Sequence, residues 1–495
     1  MTKVAAVIMA GTVKEAVQQS RLALEDGADL VELRFDHVRH LKLEEIARIP
    51  SAVLMHGIAT LRSPDEGGAT GDREGTRQSL LEELASRQFA YLDIELTADA
   101  NRAGGIAALA ARQGTTLIVS HHFAESVDSA RVADSVEACS ALGDVAKVAV
   151  PVDDIDLAVQ LVDLAQRLAA RRQRVVVIGM GVAGMITRTL ADHTKQEIQY
   201  TASRGRAAAA GQLSFATARR LRGGEPTVLG LVGHPLGHSL SPVIHEAALE
   251  ALGMPAVYLP FDVGLDSLAV LLEAADRLRI RGFNVTLPYK ESIVKNLDDL
   301  DGDAVRIGVV NTVVIRDGWT TGYNTDTFGF RQSLRAFGLR VSGRRALVVG
   351  AGGAAKAAVD VLLREGAQVQ VTNRRTDRAE ALADVFGGTV DSIPLDLLPR
   401  HGPWDLLVNA TPVGTDGLAS GLPVPESILE KVGAVYDLVY NPPTTALIAA
   451  AKRLGRPAFS GLEMLLHQAA KSFELWTGRS PPVDAMRQAA KEALG

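Results

Sequence analysis

The stretch Arg344–Arg375, RRALVVGAGGAAKAAVDVLLREGAQVQVTNRR, constrains this chain more than any other. Ala346–Val349 is a short apolar run of strand type, and Gly350, Gly352 and Gly353 follow at once. A helical pattern then runs from Ala354 to Glu365, and a second apolar run, Gln368–Thr372, ends on Asn373-Arg374-Arg375. Strand, glycine-rich turn, helix, strand is the βαβ unit of a dinucleotide-binding domain. The glycines let the backbone approach a pyrophosphate, and the helix N-terminus offers it free N–H groups and a positive dipole end.

At 495 residues the chain is too long for one ordinary core, so several domains are expected. Hydrophobic residues at 47% and charged residues at 22% describe a soluble globular protein. The net charge is −6 with no Lys/Arg-rich block, which argues against nucleic acid as a partner. A single cysteine, Cys139, allows no internal disulfide and suits a reducing, cytoplasmic setting. The opening MTKVAAVIMAGTVKEA lacks the pattern of a cleaved leader, and Val175–Ile186 is too short and glycine-rich to span a membrane.

The first half alternates short apolar runs with amphipathic stretches. Strands are expected at Val4–Met9, Leu30–Arg34, Val53–Leu61, Ala90–Glu95, Thr116–Ser120, Val145–Val150 and Val175–Met180, with a fainter one near Ile198–Thr201. Helical patterns lie between most of them, such as Thr12–Glu25 and Asp154–Ala170. This alternation implies a parallel sheet, and about eight strands in roughly 220 residues fit a closed (β/α)₈ TIM barrel; an open sheet is the alternative. Leu221-Arg222-Gly223-Gly224-Glu225-Pro226 is the best linker in the chain. The expected domains are 1–222, 226–326, the Rossmann unit 327–460, and C-terminal helices 461–495 that pack back on the second domain.

Barrels of this kind carry functional groups at the C-terminal ends of their strands. Those ends here hold Glu32, Arg34 and Asp36, then Arg62 and Glu66, then His121 and His122; Lys147 lies inside the apolar strand DVAKVAVP. Burial of a lysine favours its neutral amine, which can attack a ketone to form a Schiff base. A buried stem with a solvated head is the bland alternative. A histidine base, two arginines for an anion and a carboxylate to orient the histidine favour the chemical reading.

The motifs VELRFD, LRSPDEGG, SHHF, AKVAVP, GMITR and the later Gly211-Gln212 resemble type I 3-dehydroquinate dehydratase over about Met1–Arg222. The resemblance implies that Lys147 forms an imine with the substrate ketone and that His122 removes the C2 proton and assists loss of the C1 hydroxyl. It implies that Glu66 orients His122, and that Glu32, Arg34, Arg62, Arg188 and Gln212 hold the substrate. The family's Ser-x-His spacing from Ser120 selects His122 over His121. The family's Ser-x-Pro-Gly-Gln lid is replaced here by Ala208-Ala209-Ala210-Gly211-Gln212, so lid closure departs from the pattern. Gly179-Met180-Gly181-Val182-Ala183-Gly184 matches GxGxxG, but no acidic residue closes a second strand after it; it is expected to be barrel strand seven and its loop.

The second half opens with GHPLGHSLSP, in which Ser239 and Ser241 share one side of an extended segment. His234 and His238 have helical metal-ligand spacing, but Pro235 and Gly237 break the helix and no metal site is expected. FNVTLPYK ends on Thr286 and Lys290; VVNT supplies Asn311, and NTDTFGF supplies Asp326. A lysine and an aspartate in one site allow proton transfer to and from a hydroxyl. With GAGGAAKA, NRR, NATPVGT, YDLVYNPPTT and GLEMLLHQAA, these motifs resemble shikimate dehydrogenase over Pro226–Gly495. The resemblance implies a two-lobed unit with Lys290 and Asp326 as the catalytic pair. Ser239, Ser241, Thr286, Asn311, Asp326, Tyr440 and Gln468 would surround the substrate, and Gly350, Ala351, Gly352, Gly353, Ala354, Asn373, Arg374, Arg375 and Thr411 the cofactor. Asn373 stands where an NAD enzyme carries an acidic residue, and Arg374 and Arg375 follow, so NADP is the expected cofactor.

The two halves explain each other: the product of the first reaction, 3-dehydroshikimate, is the ketone that the second reduces to shikimate. The expected activity is a bifunctional enzyme acting on 3-dehydroquinate and 3-dehydroshikimate, similar to the plant-type fusion. The alternative is a shikimate or quinate dehydrogenase with a weak or silent barrel; a third reading is a metabolite-binding regulator.

Overall fold

The computed structural model describes residues 1–69, 74–96, 100–203, 210–237 and 239–495. By compactness the chain forms two units: Met1–Val228 with Gly253–Arg279, and Leu229–Leu252 with Ile280–Gly495. The excursion Gly253–Arg279, which the sequence reading keeps within 226–326, is therefore grouped with the N-terminal unit. No helix among the described residues is long and apolar enough to cross a membrane.

In the first unit, eight strands run β1 (Lys3–Ile8), β2 (Leu30–Arg34), β3 (Gly57–Thr60), β4 (Tyr91–Glu95), β5 (Thr116–His122), β6 (Val145–Pro151), β7 (Val175–Met180) and β8 (Ile198–Ala202). They lie side by side in sequence order, and β1 pairs with β8 in parallel over Lys3–Val7, which curls the sheet into a barrel. The faint eighth strand is thus real: its register on β1 spans five residues. The seam beside β7 carries the backbone bond from Glu197 N to Val175 O at 2.9 Å. Helices between the strands start where the sequence supplies caps: Thr12, Asp128 and Asp154 each accept a backbone N–H of the first turn. The long apolar run Val53–Leu61 splits: Ser51–Leu54 is a short helix and only Gly57–Thr60 is strand, because a barrel strand needs few residues.

Side chains two apart on a strand share a face. Ala5, Leu30, Ile58, Tyr91, Ile118, Val145, Val176, Ile198 and Tyr200 accordingly fill the barrel interior as one apolar cluster.

Later strands are β9 (Thr227–Gly233), β10 (Ala256–Asp262), β11 (Ile280–Val285), β12 (Asp299–Leu300), β13 (Thr312–Arg316) and β14 (Trp319–Tyr323). Within the second unit they follow the order β9, β11, β13, β14, β12. The third sheet holds β15 (Arg345–Val349), β16 (Gln368–Thr372), β17 (Val390–Ser392), β18 (Trp404–Asn409), β19 (Val432–Asp437) and β20 (Ala458–Ser460). Its order, β17-β16-β15-β18-β19-β20, all parallel, is the 3-2-1-4-5-6 order of a Rossmann sheet. The helix Leu462–Thr477 packs against Thr325–Ala336, and the last helix, Val483–Leu494, packs against Ser241–Ala251, so the C-terminus returns to the β9 lobe. Gly329 makes the first contact possible: a Cβ there would stand 2.6 Å from the Met464 carbonyl.

Two candidate functional sites

In the barrel, period-two alternation lifts polar groups from several strands into one cluster. Glu32, Thr60, Asp93, Ser120 and Lys147 point inward just above the apolar layer, each two residues after an inward apolar side chain: Leu30, Ile58, Tyr91, Ile118 and Val145. Lys147 is 3% exposed, and its Nζ lies 2.8 Å from Asp93 Oδ2 and 3.3 Å from Glu32 Oε1. The residues flanking Lys147 in its strand are apolar, but two other strands of the barrel bring carboxylates to the amine. Thr60 donates to Glu32 at 3.0 Å and Ser120 to Asp93 at 2.6 Å, fixing both carboxylates. Burial works against the charge on Asp93, yet Lys147, Arg62 and the Ser120 hydroxyl hold its carboxyl below the ordinary range.

His122 lies one layer higher on β5. Its Nδ1 is 2.9 Å from Glu66 Oε2, and the same oxygen accepts its backbone N–H at 3.0 Å. Arg62 abuts the imidazole ring and donates to Asp93 at 3.3 Å. Burial, then the charges of Arg62, Lys147 and Arg34, push His122 well below its usual value, so the ring is a neutral base. Burial and the negative charge of Glu95 push Glu66 up to about 7. His121 turns to the other face of β5, where Nδ1 meets Ser135 Oγ at 2.8 Å; strand alternation thus separates the two histidines.

Arg34 is held by Asp36 through two bonds of 2.9 and 2.8 Å, and Asp36 is fully buried. Arg188, on the helix Met185–Thr189, is 7% exposed; its Nε has no hydrogen-bond partner, and burial lowers it to about 10. A buried guanidinium in that condition calls for an anion. Gln212 is half-buried and follows Gly211; Ala208 and Ala209 of the altered lid lie outside the described residues. The GxGxxG match is closed to a phosphate, since a Cβ at Gly184 would stand 2.4 Å from the Gly179 carbonyl carbon: these glycines let strand and helix backbones touch. Sequence reasoning missed Asp93, Glu95 and Tyr200, although inward alternation of YLDIE from Tyr91 would have found the first two.

In the second unit, a cavity of about 190 Å³ is lined by Ser239, Ser241, Thr286, Lys290, Asn311, Asp326, Tyr440 and Gln468, together with Ala354 and Asn284. Lys290 Nζ donates to Asp326 Oδ2 at 2.6 Å, and Asn311 Nδ2 donates to Asp326 Oδ1 at 2.8 Å. Ser241 N donates to Ser239 Oγ at 3.2 Å, which holds both hydroxyls at one helix start. Behind them Asn284, Thr312, Thr325 and Ser472 form a buried hydrogen-bonded group; Thr325 N donates to Asn311 Oδ1 at 2.7 Å. These supports were missed: Asn284 and Thr312 lie on strands and Thr325 and Ser472 on helices, and a neutral polar side chain at such places has no charge to single it out in the sequence. His238 lies outside the described residues, and no group of three or more His, Cys, Asp or Glu able to hold a metal occurs among the described ones.

The glycine-rich turn fits a dinucleotide. Gly350 leaves β15 at φ +123, and a Cβ there would stand 2.9 Å from the Ala410 carbonyl. It lies between β15 and β18, the point where strand order reverses and Rossmann sheets bind their ligand. Gly352 has open space where a side chain would begin, and the helix starts at Gly353, with Ala351 before it half-buried. Thr411 donates to Asn409 Oδ1 at 2.6 Å beside this turn. Asn373 follows β16 half-buried; Arg374 and Arg375 are exposed, and Arg375 pairs with Asp377 at 3.2 Å.

Comparison with known proteins agrees with this geometry. Residues 4–222 match the family model of type I 3-dehydroquinase. Residues 231–313 match the shikimate dehydrogenase substrate-binding domain, 332–413 shikimate/quinate 5-dehydrogenase, and 461–491 the shikimate 5'-dehydrogenase C-terminal domain. The NADP(+) shikimate dehydrogenase of Archaeoglobus fulgidus is 44% identical over 269 residues, 54% of this chain and 98% of that protein. A solved shikimate dehydrogenase in complex with NADP+ is 38% identical with a TM-score of 0.52, covering 55% of this chain and 96% of its own. The quinate dehydrogenase of Corynebacterium glutamicum, solved with NAD, is 36% identical with a TM-score of 0.50, over 54% of this chain and all of that one (100%). The chain belongs to the shikimate dehydrogenase family through its second half, and its first half is a type I 3-dehydroquinase domain.

Proposed function

We propose that residues 1–222 dehydrate 3-dehydroquinate, and that 226–326, with helices 461–495, and the NADP-binding segment 327–460 reduce the product to shikimate. The carrying observation is a lysine held against an aspartate in each half, among the side chains expected to bind substrate: Lys147 on Asp93 and Lys290 on Asp326.

In the barrel, Asp93 is placed to take a proton from Lys147 at 2.8 Å. The Nζ lone pair attacks the ketone carbon; the oxygen takes that proton back from Asp93 and a second from the attacking nitrogen and leaves as water, giving an iminium with one N–H. Neutral His122 removes the C2 proton and the C–H electrons pass to the iminium, giving an enamine. The enamine electrons return to expel the C1 hydroxyl, which leaves as water with the proton from the imidazolium. A water molecule then hydrolyses the iminium to free Lys147 and the product ketone. Glu66 orients the ring, while Arg188, Arg34, Arg62, Glu32 and Gln212 hold the substrate's carboxylate and hydroxyls.

In the second site, Gly350, Ala351, Gly352, Gly353, Ala354 and Thr411 would hold the cofactor's pyrophosphate end, and Asn373, Arg374 and Arg375 its 2′-phosphate. When bound, NADPH supplies the hydride for the ketone carbon. Lys290 delivers the proton to the ketone oxygen, and Asp326 keeps the amine aimed. Ser239 and Ser241 take the carboxylate; Thr286, Asn311, Tyr440 and Gln468 take the ring hydroxyls. The single cysteine, buried, and the net charge of −6 support a cytoplasmic enzyme with small-molecule partners rather than nucleic acid.

The test is NADPH absorbance with 3-dehydroquinate as sole substrate. Steady consumption is expected. Consumption with 3-dehydroshikimate alone would make the barrel silent, and none with either would leave a binding protein. Quinate with NAD is the control raised by the quinate dehydrogenase match.

A further inference from the structure

Tyr200 has no part in the reaction written above. It is 5% exposed on β8, and its hydroxyl is buried without a hydrogen-bond partner. A polar group left unpaired in a barrel core is destabilising. What the residue does offer is its ring: Lys147 Nζ stands 4.2 Å from the ring centroid, over the face. The negative face of an aromatic ring attracts a cation at this distance.

Imine formation changes which contacts around Nζ survive. An ammonium has three N–H donors and satisfies both Asp93 and Glu32. When the C–N bond forms and the carbonyl oxygen leaves as water, the iminium nitrogen keeps one N–H and the full positive charge. One carboxylate bond is then lost. The ring face needs no N–H, so its attraction persists into the charged intermediate that draws off the C2 electrons.

We propose that the Tyr200 ring is a catalytic residue of the barrel, stabilising the iminium on Lys147 through its π face. This rests on the reading of Lys147 as the imine-forming residue. The experiment places phenylalanine, then mono-, di- and trifluorophenylalanine, at position 200 of the full chain. These rings keep nearly the same shape while the face loses its negative potential. Dehydration should change less than threefold for Tyr200→Phe and then fall stepwise, to about tenfold below phenylalanine in the trifluoro variant. Reduction of 3-dehydroshikimate should stay constant throughout. A flat series, with borohydride still trapping an adduct on Lys147, would overturn the role of the ring alone. No adduct in the wild type would overturn the imine and, with it, this inference.

Discussion

The two lysines make an instructive pair. Lys147 and Lys290 both touch an aspartate, at 2.8 and 2.6 Å. Lys147 stands inside a strand with its side chain 4% exposed, with two carboxylates and an aromatic face around it. Lys290 stands in a turn with its side chain 19% exposed and one carboxylate beside it, at the rim of a cavity. A strand lysine locked by its neighbours keeps Nζ at one place, as covalent attack requires. A turn lysine beside a single carboxylate is suited to passing a proton. The same two residue types therefore serve different chemistry because the backbone that carries them differs.

Five substitutions test and sharpen that contrast. Lys147→Ala should lower dehydration by about 10⁴-fold, since a covalent step has no substitute, and leave 3-dehydroshikimate reduction unchanged. It also strands Asp93 and Glu32, so urea unfolding should show a loss of about 3–5 kcal/mol; Lys290→Ala, at a partly exposed site, should lose about 1 kcal/mol or less. Equal losses would break the contrast.

Asp326→Asn should lower reduction by about 10²–10⁴-fold with dehydration intact. If dehydration fell as far, the assignment of the two sites to separate halves would be wrong.

Glu66→Gln should lower dehydration by about 10²-fold and change its pH profile. Glu66 sits near 7, so above that pH it is ionised and accepts from the imidazole; below it the carboxyl is protonated. His122 stays neutral across this range because its value lies well below 6.5. The rate should therefore drop as pH falls through about 7, and this limb should vanish in Glu66→Gln, which takes up no proton there. A limb that persists would belong to another group.

The smallest effect concerns the cofactor. Arg374→Ala should shrink the NADPH-over-NADH preference in kcat/KM by about tenfold, chiefly through KM, because the phosphate lies far from the hydride. An unchanged ratio would move that role elsewhere, to Arg375 despite its pairing with Asp377.

Much of this was legible in the order of residues. Alternating apolar runs and amphipathic stretches imply the eight-stranded barrel, and glycines between a strand and a helix imply the Rossmann unit, because secondary-structure period and turn chemistry are local. Lys147, His122 and Lys290 stand out because each is an ionisable group in or just after an apolar run, and Asp326 because it lies in the motif NTDTFGF. What only the tertiary structure decided is company. Asp93 lies 54 positions from Lys147, and Ser472 lies 188 from Asn284, yet each pair is hydrogen-bonded. Gly329 is an ordinary glycine in the sequence and Gly184 part of a GxGxxG match; only in space does a backbone press against each. The sequence determined which chemical groups each strand carries, through a period of two residues. Sheet closure and helix packing decided which of those groups meet, because contacts over such separations depend on how whole elements dock.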